Sequence, residues 1–249
     1  MKLILLAAGK SSRIYKKIKK NKCLLTINNK SLLRNIIDNA KSISLNDINI
    51  VTGFKASNII NELKNYKKIN FIKNLKFAST DMVYSTILAL KNSNDDVLIS
   101  YTDIFFDKDL LKNFKKNKYK YITLPYIENW KEVWNFRKKN IYDDAETFIY
   151  NNDHFLREIG NKITSNNLKN INGQFMGIIY IPKEFVKKIL VFYDKHNFKK
   201  IQFTCFLNKL LKNRFKIYCK KYKKFWYEID DNEDYENFHR FYSQYKKSS

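Results

Sequence analysis

Apolar and polar positions divide the chain into two halves of different rhythm. In the first half, short apolar runs alternate with stretches whose apolar residues recur every three or four positions. KLILLA (2–7), INIVTG (48–53), INFIKN (69–74) and DVLISYTD (96–103) read as strands. SLLRNIIDNAKSI (31–43), ASNIINELKNY (56–66), DMVYSTILALKN (81–92) and KDLLKNFKK (108–116) read as helices, with Ser31 placed to cap the first. Leu3 to Ala7 is unbroken apolar sequence, as in a strand buried on both faces. Strands and helices in strict alternation predict a parallel sheet inside a three-layer α/β architecture. Right-handed crossovers then put the C-terminal ends of the strands on one edge.

The second half is mixed. KYITLPYI (120–127), QFMGIIYIP (174–182), FKIYCKKY (215–222) and KFWYEID (224–230) read as strands, and ETFIYNN with HFLREIG as a hairpin turning at Asn151–Asp153. KEFVKKILVFYDKH (183–196), QFTCFLNKLLKN (202–213) and DNEDYENFHRFYSQYKK (231–247) have helical spacing. Neither a Pro/Gly/Ser linker nor an internal repeat interrupts the pattern. The expectation is one domain over 1–249, with a first half (1–118) and a mixed second half (119–249).

Composition narrows this only slightly. At 249 residues and 44% apolar the chain can bury a large core, and 16% aromatics argues against disorder. The net charge of +24 would suit nucleic acid or an anionic membrane. Yet 42 of the 48 basic residues are Lys, spread over the whole chain beside abundant Asn and Ile, which is the signature of AT-rich coding. Most of that charge reads as a solvated face that also draws in polyanionic substrates, with no nucleic-acid partner. YDKHNFKK (193–200) and YCKKYKKFWY (218–227) interleave basic and aromatic residues, but a solvated edge strand explains the second equally well. The first apolar run is too short for a signal peptide, and no stretch approaches the ~20 residues that span a bilayer. Cys23, Cys205 and Cys219 form neither a zinc pattern nor a disulfide framework, so a reducing cytoplasm and no membrane insertion are expected. His154, His196 and His239 have no spacing that suggests catalysis. Oligomeric state, monomer or homodimer, is open at this level.

Ligands of open α/β sheets sit outside the strand C-termini. Strand one delivers Ala7-Ala8-Gly9-Lys10-Ser11-Ser12-Arg13, strand two Thr52-Gly53-Phe54, the fourth Tyr101-Thr102-Asp103, and the last Glu228-Ile229-Asp230. Cations and free backbone N–H groups bind phosphates, and two carboxylates from separate strands can hold Mg²⁺ together with phosphate oxygens. The combination points to phosphoryl or nucleotidyl transfer. Neither GxxxxGK[ST] nor GxGxxG occurs in the loop.

LLAAGKSSRI (5–14), followed by Lys22-Cys23-Leu24-Leu25, resembles the LAAGxGxRxxxxxxxPKxL signature of the sugar-nucleotidyltransferase superfamily. The resemblance implies a Rossmann-like, GT-A-like α/β/α fold with a mixed, mainly parallel sheet. It also implies that Leu6 to Arg13 cradle a nucleoside triphosphate and that Lys22 bridges the phosphates of both substrates. Two positions depart from the pattern: Ser11 stands for the middle glycine, which a serine fits if its φ is negative, and Asn21 stands for the proline. VTGFK, with Gly53, resembles the family's turn beside the base. STDMVYSTILAL (79–90) resembles the helix start of cytidylyltransferases that act on phosphocholine and phosphonates, which brings Thr80, Asp81, Met82 and Ser85 to the nucleotide. DDAETF, LREIGNK, INGQFMGIIYIP and WYEIDDNEDYE resemble blocks of the same branch. They imply an acceptor site with Glu146, Gln174, Met176, Gly177, Trp226 and Glu228, and a second metal carboxylate, Asp230, to join Asp103.

Each residue also has a plainer reading. Gly9 can simply end a strand, Lys10 and Lys22 are two of 42 lysines, and Asp103 and Asp230 can cap the helices that follow them. Asp107, Asp109 and Asp231 are free to do that capping, which favours the metal reading. Arg13 is one of only six arginines, and its fork suits phosphate oxygens. Glu146 is equally a surface acid or a partner for a cationic acceptor group, and Trp226 is more often packing than a ligand cage. The resulting expectation is an Mg²⁺-dependent enzyme joining CMP from CTP to a small phosphorylated headgroup: phosphocholine, aminoethylphosphonate or phosphoglutamine. Pyrophosphate would be released, in the service of bacterial surface decoration. Lys22, Arg13, Asp103 and Asp230 would carry the catalysis. A sugar-1-phosphate nucleotidyltransferase using UTP or dTTP is the alternative, and a non-enzymatic polyanion binder the remote one.

Overall fold

The computed structural model describes residues 1–137, 140–196, 198 and 200–248; Asn197 and Lys199 of the YDKHNFKK stretch lie outside them. The first half runs β1 (Lys2–Ala7), α1 (Ser12–Ile18), a small hairpin β2 (Thr26–Ile27) and β3 (Lys30–Ser31), α2 (Leu32–Ser42), β4 (Ile48–Thr52), α3 (Ala56–Glu62), β5 (Ile69–Lys73), α4 (Met82–Leu90), β6 (Val97–Tyr101), β7 (Ile104–Phe106) and α5 (Asp109–Lys116). The second runs β8 (Ile122–Ile127), α6 (Trp130–Arg137), β9 (Glu146–Tyr150), β10 (Leu156–Lys162), β11 (Gln174–Phe175), β12 (Ile178–Ile181), α7 (Lys183–His196), α8 (Phe203–Lys212), β13 (Ile217–Tyr222), β14 (Trp226–Glu228) and α9 (Asn232–Ser248).

The central sheet has eight strands in the order β11-β8-β12-β6-β1-β4-β5, with β13 also paired to β8. β6, β1, β4 and β5 are parallel, and so are β8 and β13. β12 enters antiparallel between β6 and β8, which makes the sheet mixed but mainly parallel. β1 shows why both its faces are apolar. Leu3, Leu5 and Ala7 join a core beneath α2, α5, α6 and α9, while Ile4, Leu6 and Ala8 join a second core beneath α4, α7 and α8. Three layers result.

The hairpin at Asn151–Asp153 forms as the sequence suggests, with β10 antiparallel to β9. Ser31 caps α2, its Oγ accepting from Arg34 N at 3.2 Å. Several elements differ from expectation. α1, the β2–β3 hairpin, β7 and α6 are too short or too polar to have declared themselves. QFMGIIYIP is not one strand: it breaks at Met176-Gly177, where Gly177 takes φ +71° and a Cβ there would stand 2.7 Å from the Tyr101 ring. β14 leaves the main sheet and pairs with β7 instead. These last two irregularities shape the site.

Candidate active site

The loop after β1 is short. It closes into α1 at Ser12, so only Ala8 to Ser11 bridge the strand and the helix. Ser11 sits at φ 53°, ψ 33°, in the left-handed region, contrary to the negative φ expected of a serine there. Its compensation is local: Ser11 Oγ accepts from Lys22 N at 3.0 Å, tying the loop to the lysine segment. Asn21, where the family has proline, keeps a proline-like backbone at φ −61°, ψ 141°. Its side chain is buried and donates to the Phe54 carbonyl at 2.9 Å. Ser11 thus adopts a conformation that glycine takes without strain, and Asn21 one that proline would impose. Gly53 lies behind the wall, not on it: a Cβ would meet Ala8 O and Phe77 Cβ, each at 2.7 Å. Its bareness lets β4 end directly beneath the loop.

The carboxylates converge through the irregular ribbon. β7 pairs with β14 so that Glu228 lies opposite Ile104, and Ile229 N donates to the Asp103 carbonyl at 2.9 Å. Thr102 Oγ1 donates to the Leu6 carbonyl at 2.9 Å, pinning this end of β6 to β1. Asp103, Glu228 and Asp230 each place an oxygen within 4.8 Å of the others. Capping is done by neighbours: Asp107 Oδ1 accepts from Asp109 N at 2.9 Å and Asp231 Oδ1 from Asp234 N at 3.0 Å, leaving Asp103 and Asp230 to the site.

Lys22 Nζ stands 2.7 Å from Asp103 Oδ2 and 2.7 Å from Asp230 Oδ1. Arg13 Nη2 reaches the same Asp230 oxygen at 3.3 Å. Burial works against the Lys22 ammonium, but the two carboxylates outweigh it and hold its pKa above the ordinary lysine value. Burial likewise opposes the Asp230 carboxylate, and Lys22 and Arg13 overcome that to bring it to about 2. Glu228 goes the other way: burial, then the adjacent Asp230 charge, push it well above the carboxylate range despite Arg137.

Arg137, at the end of α6, is the functional-region residue that the sequence did not single out. Its fully buried guanidinium meets Glu228 Oε2 at 3.2 Å, Asp234 Oδ1 at 3.4 Å, Asp144 Oδ2 at 3.5 Å and Asp230 Oδ2 at 3.7 Å. It also lies 4.7 Å over the Trp134 ring. Asp230 is thereby held from both sides, Oδ1 toward Lys22 and Oδ2 toward Arg137. Rarity was the available signal, since arginine occurs six times.

Two adjoining cavities share this wall. The larger, about 600 Å³, is lined by Leu6 to Arg13, Lys22, Thr80 to Met82, Ser85, Asp103, Glu228 and Asp230, as the sequence suggests, and also by Asn21, Asn74, Phe77 and Tyr101. Asn74 spends its side chain on the wall itself, donating to Ser85 Oγ at 3.0 Å and accepting from Lys76 N at 2.9 Å. Cys23 also lines this cavity, but burial and the Asp103 charge push its thiol up to about 12, so it is no thiolate nucleophile. The smaller cavity, about 360 Å³, is lined by Glu146, Gln174, Gly177 and Glu228, and by the unforeseen Trp134, Asp144 and start of α8 at Gln202–Thr204. Burial raises the Glu146 carboxyl, with the Thr204 hydroxyl opposing. Met176 and Trp226 are not on either wall. Both are buried behind it, the Trp226 indole donating to the Met176 carbonyl at 3.0 Å while its ring stacks on Trp134 at 5.9 Å. Gln174 serves the frame, its amide bonding the Glu146 carbonyl at 2.5 Å.

Three clustered oxygen donors of hard, ionisable type are the set Mg²⁺ takes, and a cation already bridges two of them here, so the residues fit that metal. No helix among the described residues is long and apolar enough to cross a membrane.

The chain is similar to a CTP:phosphoglutamine cytidylyltransferase of Campylobacter jejuni subsp. jejuni serotype O:2, 29% identical over 95% of this chain and 98% of that protein. Among solved structures it is similar to the CTP:phosphocholine cytidylyltransferase LicC of Streptococcus pneumoniae, with TM-score 0.72 and 19% identity over 97% of this chain and 98% of that one. The inositol-1-phosphate CTP transferase of T. maritima superposes with TM-score 0.70 and 17% identity over 96% and 95% of the two chains. These likenesses confirm the Rossmann-like nucleotidyltransferase fold. The family model of the MobA-like NTP transferase domain matches residues 3–158, which takes in nearly all of β1, the glycine loop, Lys22, Asp103, β9 and the first residues of β10. The chain belongs to the MobA-like NTP transferase domain family and is a nucleotidyltransferase.

Proposed function

We propose that this enzyme transfers CMP from CTP to a small phosphorylated headgroup and releases pyrophosphate. The observation that carries the reading is the junction of the two cavities. Lys22, Asp103 and Asp230 lie on the wall of the larger one, beside the glycine loop, and Glu228 and Asp230 continue into the smaller, acidic one. A phosphate held at that junction faces a second phosphate from the other side.

The acceptor's phosphate or phosphonate oxygen attacks the α-phosphorus of CTP in line, and the bond to the pyrophosphate oxygen breaks. The attacking acceptor oxygen is already ionised at neutral pH, so no enzyme nucleophile or base is required. Catalysis is then positioning and charge neutralisation. Lys10, Arg13 and the backbone N–H groups of the Gly9–Arg13 loop hold the departing pyrophosphate. Lys22 bridges the α-phosphate and the acceptor. Asp103 and Asp230, with Glu228, would hold Mg²⁺, which when bound supplies Lewis-acid neutralisation of phosphate charge. CTP as the nucleotide rests on the relatives in Campylobacter jejuni and Streptococcus pneumoniae.

The smaller cavity supports an acceptor that carries a cation. Asp81, Asp144, Glu146, Glu228 and Asp230 line it beside Arg13; Arg137 behind the wall already meets Asp144, Glu228 and Asp230, whereas among the described residues no salt bridge engages Glu146. A headgroup with an ammonium near Glu146 matches that balance, which covers phosphocholine, aminoethylphosphonate and phosphoglutamine. We place the reaction in the cytoplasm, in keeping with the unpaired Cys23, Cys205 and Cys219, and its product in bacterial surface polysaccharide or lipid decoration, as the family resemblance of the sequence implies.

The test is Mg²⁺-dependent pyrophosphate release with CTP, UTP, ATP and dTTP against phosphocholine, aminoethylphosphonate, phosphoglutamine and sugar 1-phosphates. CTP with one cationic headgroup is the expected pair, and Asp103→Asn should lower its turnover about 100-fold or more. Turnover only with UTP or dTTP and a sugar phosphate overturns the headgroup reading. Full activity in Asp103→Asn overturns the metal assignment.

A further inference from the structure

The position of the Lys22 side chain is at odds with its assigned partner. A lysine that bridges substrate phosphates should be available to them. Here Nζ is engaged at 2.7 Å by each of two carboxylates, and the side chain is only 15% exposed. Those same two carboxylates, Asp103 and Asp230, belong to the cluster suited to Mg²⁺. An ammonium and a divalent cation cannot share them, because a metal at ordinary Mg–O distances, about 2.1 Å, would lie against a like charge in a poorly solvated pocket.

The backbone shows where the ammonium can go. Lys22 N is bonded to Ser11 Oγ at 3.0 Å, so the lysine is anchored to the phosphate loop while its head rests on the carboxylates. Four methylenes with free rotamers let the head swing without moving the anchor. Lys10, Ser11 and Arg13 line the same cavity, so the swing ends where triphosphate oxygens would lie.

We propose that the Lys22 ammonium is the resident counter-ion of the Asp103–Asp230 pair, and that the divalent metal displaces it and so frees it for the phosphates of the nucleotide. This rests on the metal reading given under the proposed function. In the ligand-free protein the lysine neutralises carboxylates that would otherwise repel each other. Metal takes over that task, and the lysine, unpartnered, gains a phosphate. Metal and nucleotide therefore favour each other's binding reciprocally, and the metal alone binds weakly because it must evict a cation first.

Two measurements test this, neither relying on turnover. Brief acetic anhydride pulses with mass spectrometry report the accessibility of Lys22 in the wild-type protein. Mg²⁺ without nucleotide should raise Lys22 acetylation severalfold and leave Lys10 unchanged, relative to K⁺ at equal ionic strength. Unchanged Lys22 labelling at metal concentrations that saturate the site overturns the proposal. In parallel, Mn²⁺ binding is followed by the electron paramagnetic resonance of the free ion. Lys22→Met should bind Mn²⁺ severalfold more tightly than wild type without nucleotide, and should lose most of the tightening that CTP brings. Equal tightening by Lys10→Met would reduce the effect to general charge and also overturn it. If Lys22→Met does not fold, the wild-type labelling decides. Mn²⁺ binding undiminished in both Asp103→Asn and Asp230→Asn would instead remove the metal reading on which the proposal stands.

Discussion

Replacing Arg137 by Met should show how much of this fold is held by one buried charge. The methionine keeps an apolar stem of similar length, so packing against Trp134 largely survives. The guanidinium is lost from among Glu228, Asp234, Asp144 and Asp230, all 3.2 to 3.7 Å away. Removing one partner of a buried ion pair costs about 3–5 kcal/mol, because the remaining charges stay buried without compensation. For a domain of this size that corresponds to a fall in Tm of roughly 6–20 °C. The deficit should depend on pH. Glu228 already has a folded pKa above its ordinary value, so it takes up a proton on folding and its contribution to stability grows as pH falls. Without Arg137, Glu228 and its neighbours rise further, and they relieve their repulsion by protonation. Urea denaturation near pH 7.5 and near pH 5.5, at fixed ionic strength, should show a deficit that shrinks clearly on acidification. A loss below about 1 kcal/mol at neutral pH, or a deficit that does not change between the two conditions, would refute this account of the cluster.

Other outcomes follow from single positions. Ser11→Gly removes a left-handed serine worth about 1 kcal/mol of strain and a hydrogen bond worth about the same. Folding stability should therefore barely move, while turnover falls because Lys22 loses its anchor; thermal melts beside pyrophosphate-release rates check both. Gly177→Ala combines φ +71° with a methyl 2.7 Å from the Tyr101 ring, and should cost about 2–4 kcal/mol in urea titrations. Asp230 titrates at about 2 against an ordinary value of 3.8. Because that folded value is depressed, the stabilisation is complete above pH 3.8, fades as pH falls toward 2, and amounts to about 2 kcal/mol. Acid unfolding of Asp230→Asn should lack that component, and an acid limb identical to wild type would contradict it.

Sequence periodicity sufficed wherever a strand or helix was long and its burial uniform. The alternation through residue 116, the two faces of β1 and the capping by Ser31 were all legible, because they depend on contacts that recur every two or every three to four residues. The LLAAGKSSRI segment and the strand-end carboxylates were legible for a related reason: a parallel sheet fixes which strand ends share an edge before any side chain is placed. Short elements escaped. α1, α6 and β7 span too few residues to show a period, and their positions are set by what packs on them.

The chain's own pattern already specified the layered architecture, the sheet edge on which the candidate site forms and the residue types gathered there. How those residues meet was settled by packing between distant segments. It turned QFMGIIYIP into two strands to clear Tyr101. It paired β14 with β7, so that Glu228 and Asp230 reach Asp103. It moved Trp226 and Met176 behind the wall and put Trp134 on it, and it buried Arg137 among Asp144 and three acids far along the chain, Glu228, Asp230 and Asp234. The physical reason is common to all four. Hydrophobic period is a property of neighbours along the chain, whereas charge compensation and steric exclusion act between segments separated by up to about a hundred residues, and take effect only once the sheet has brought those segments together.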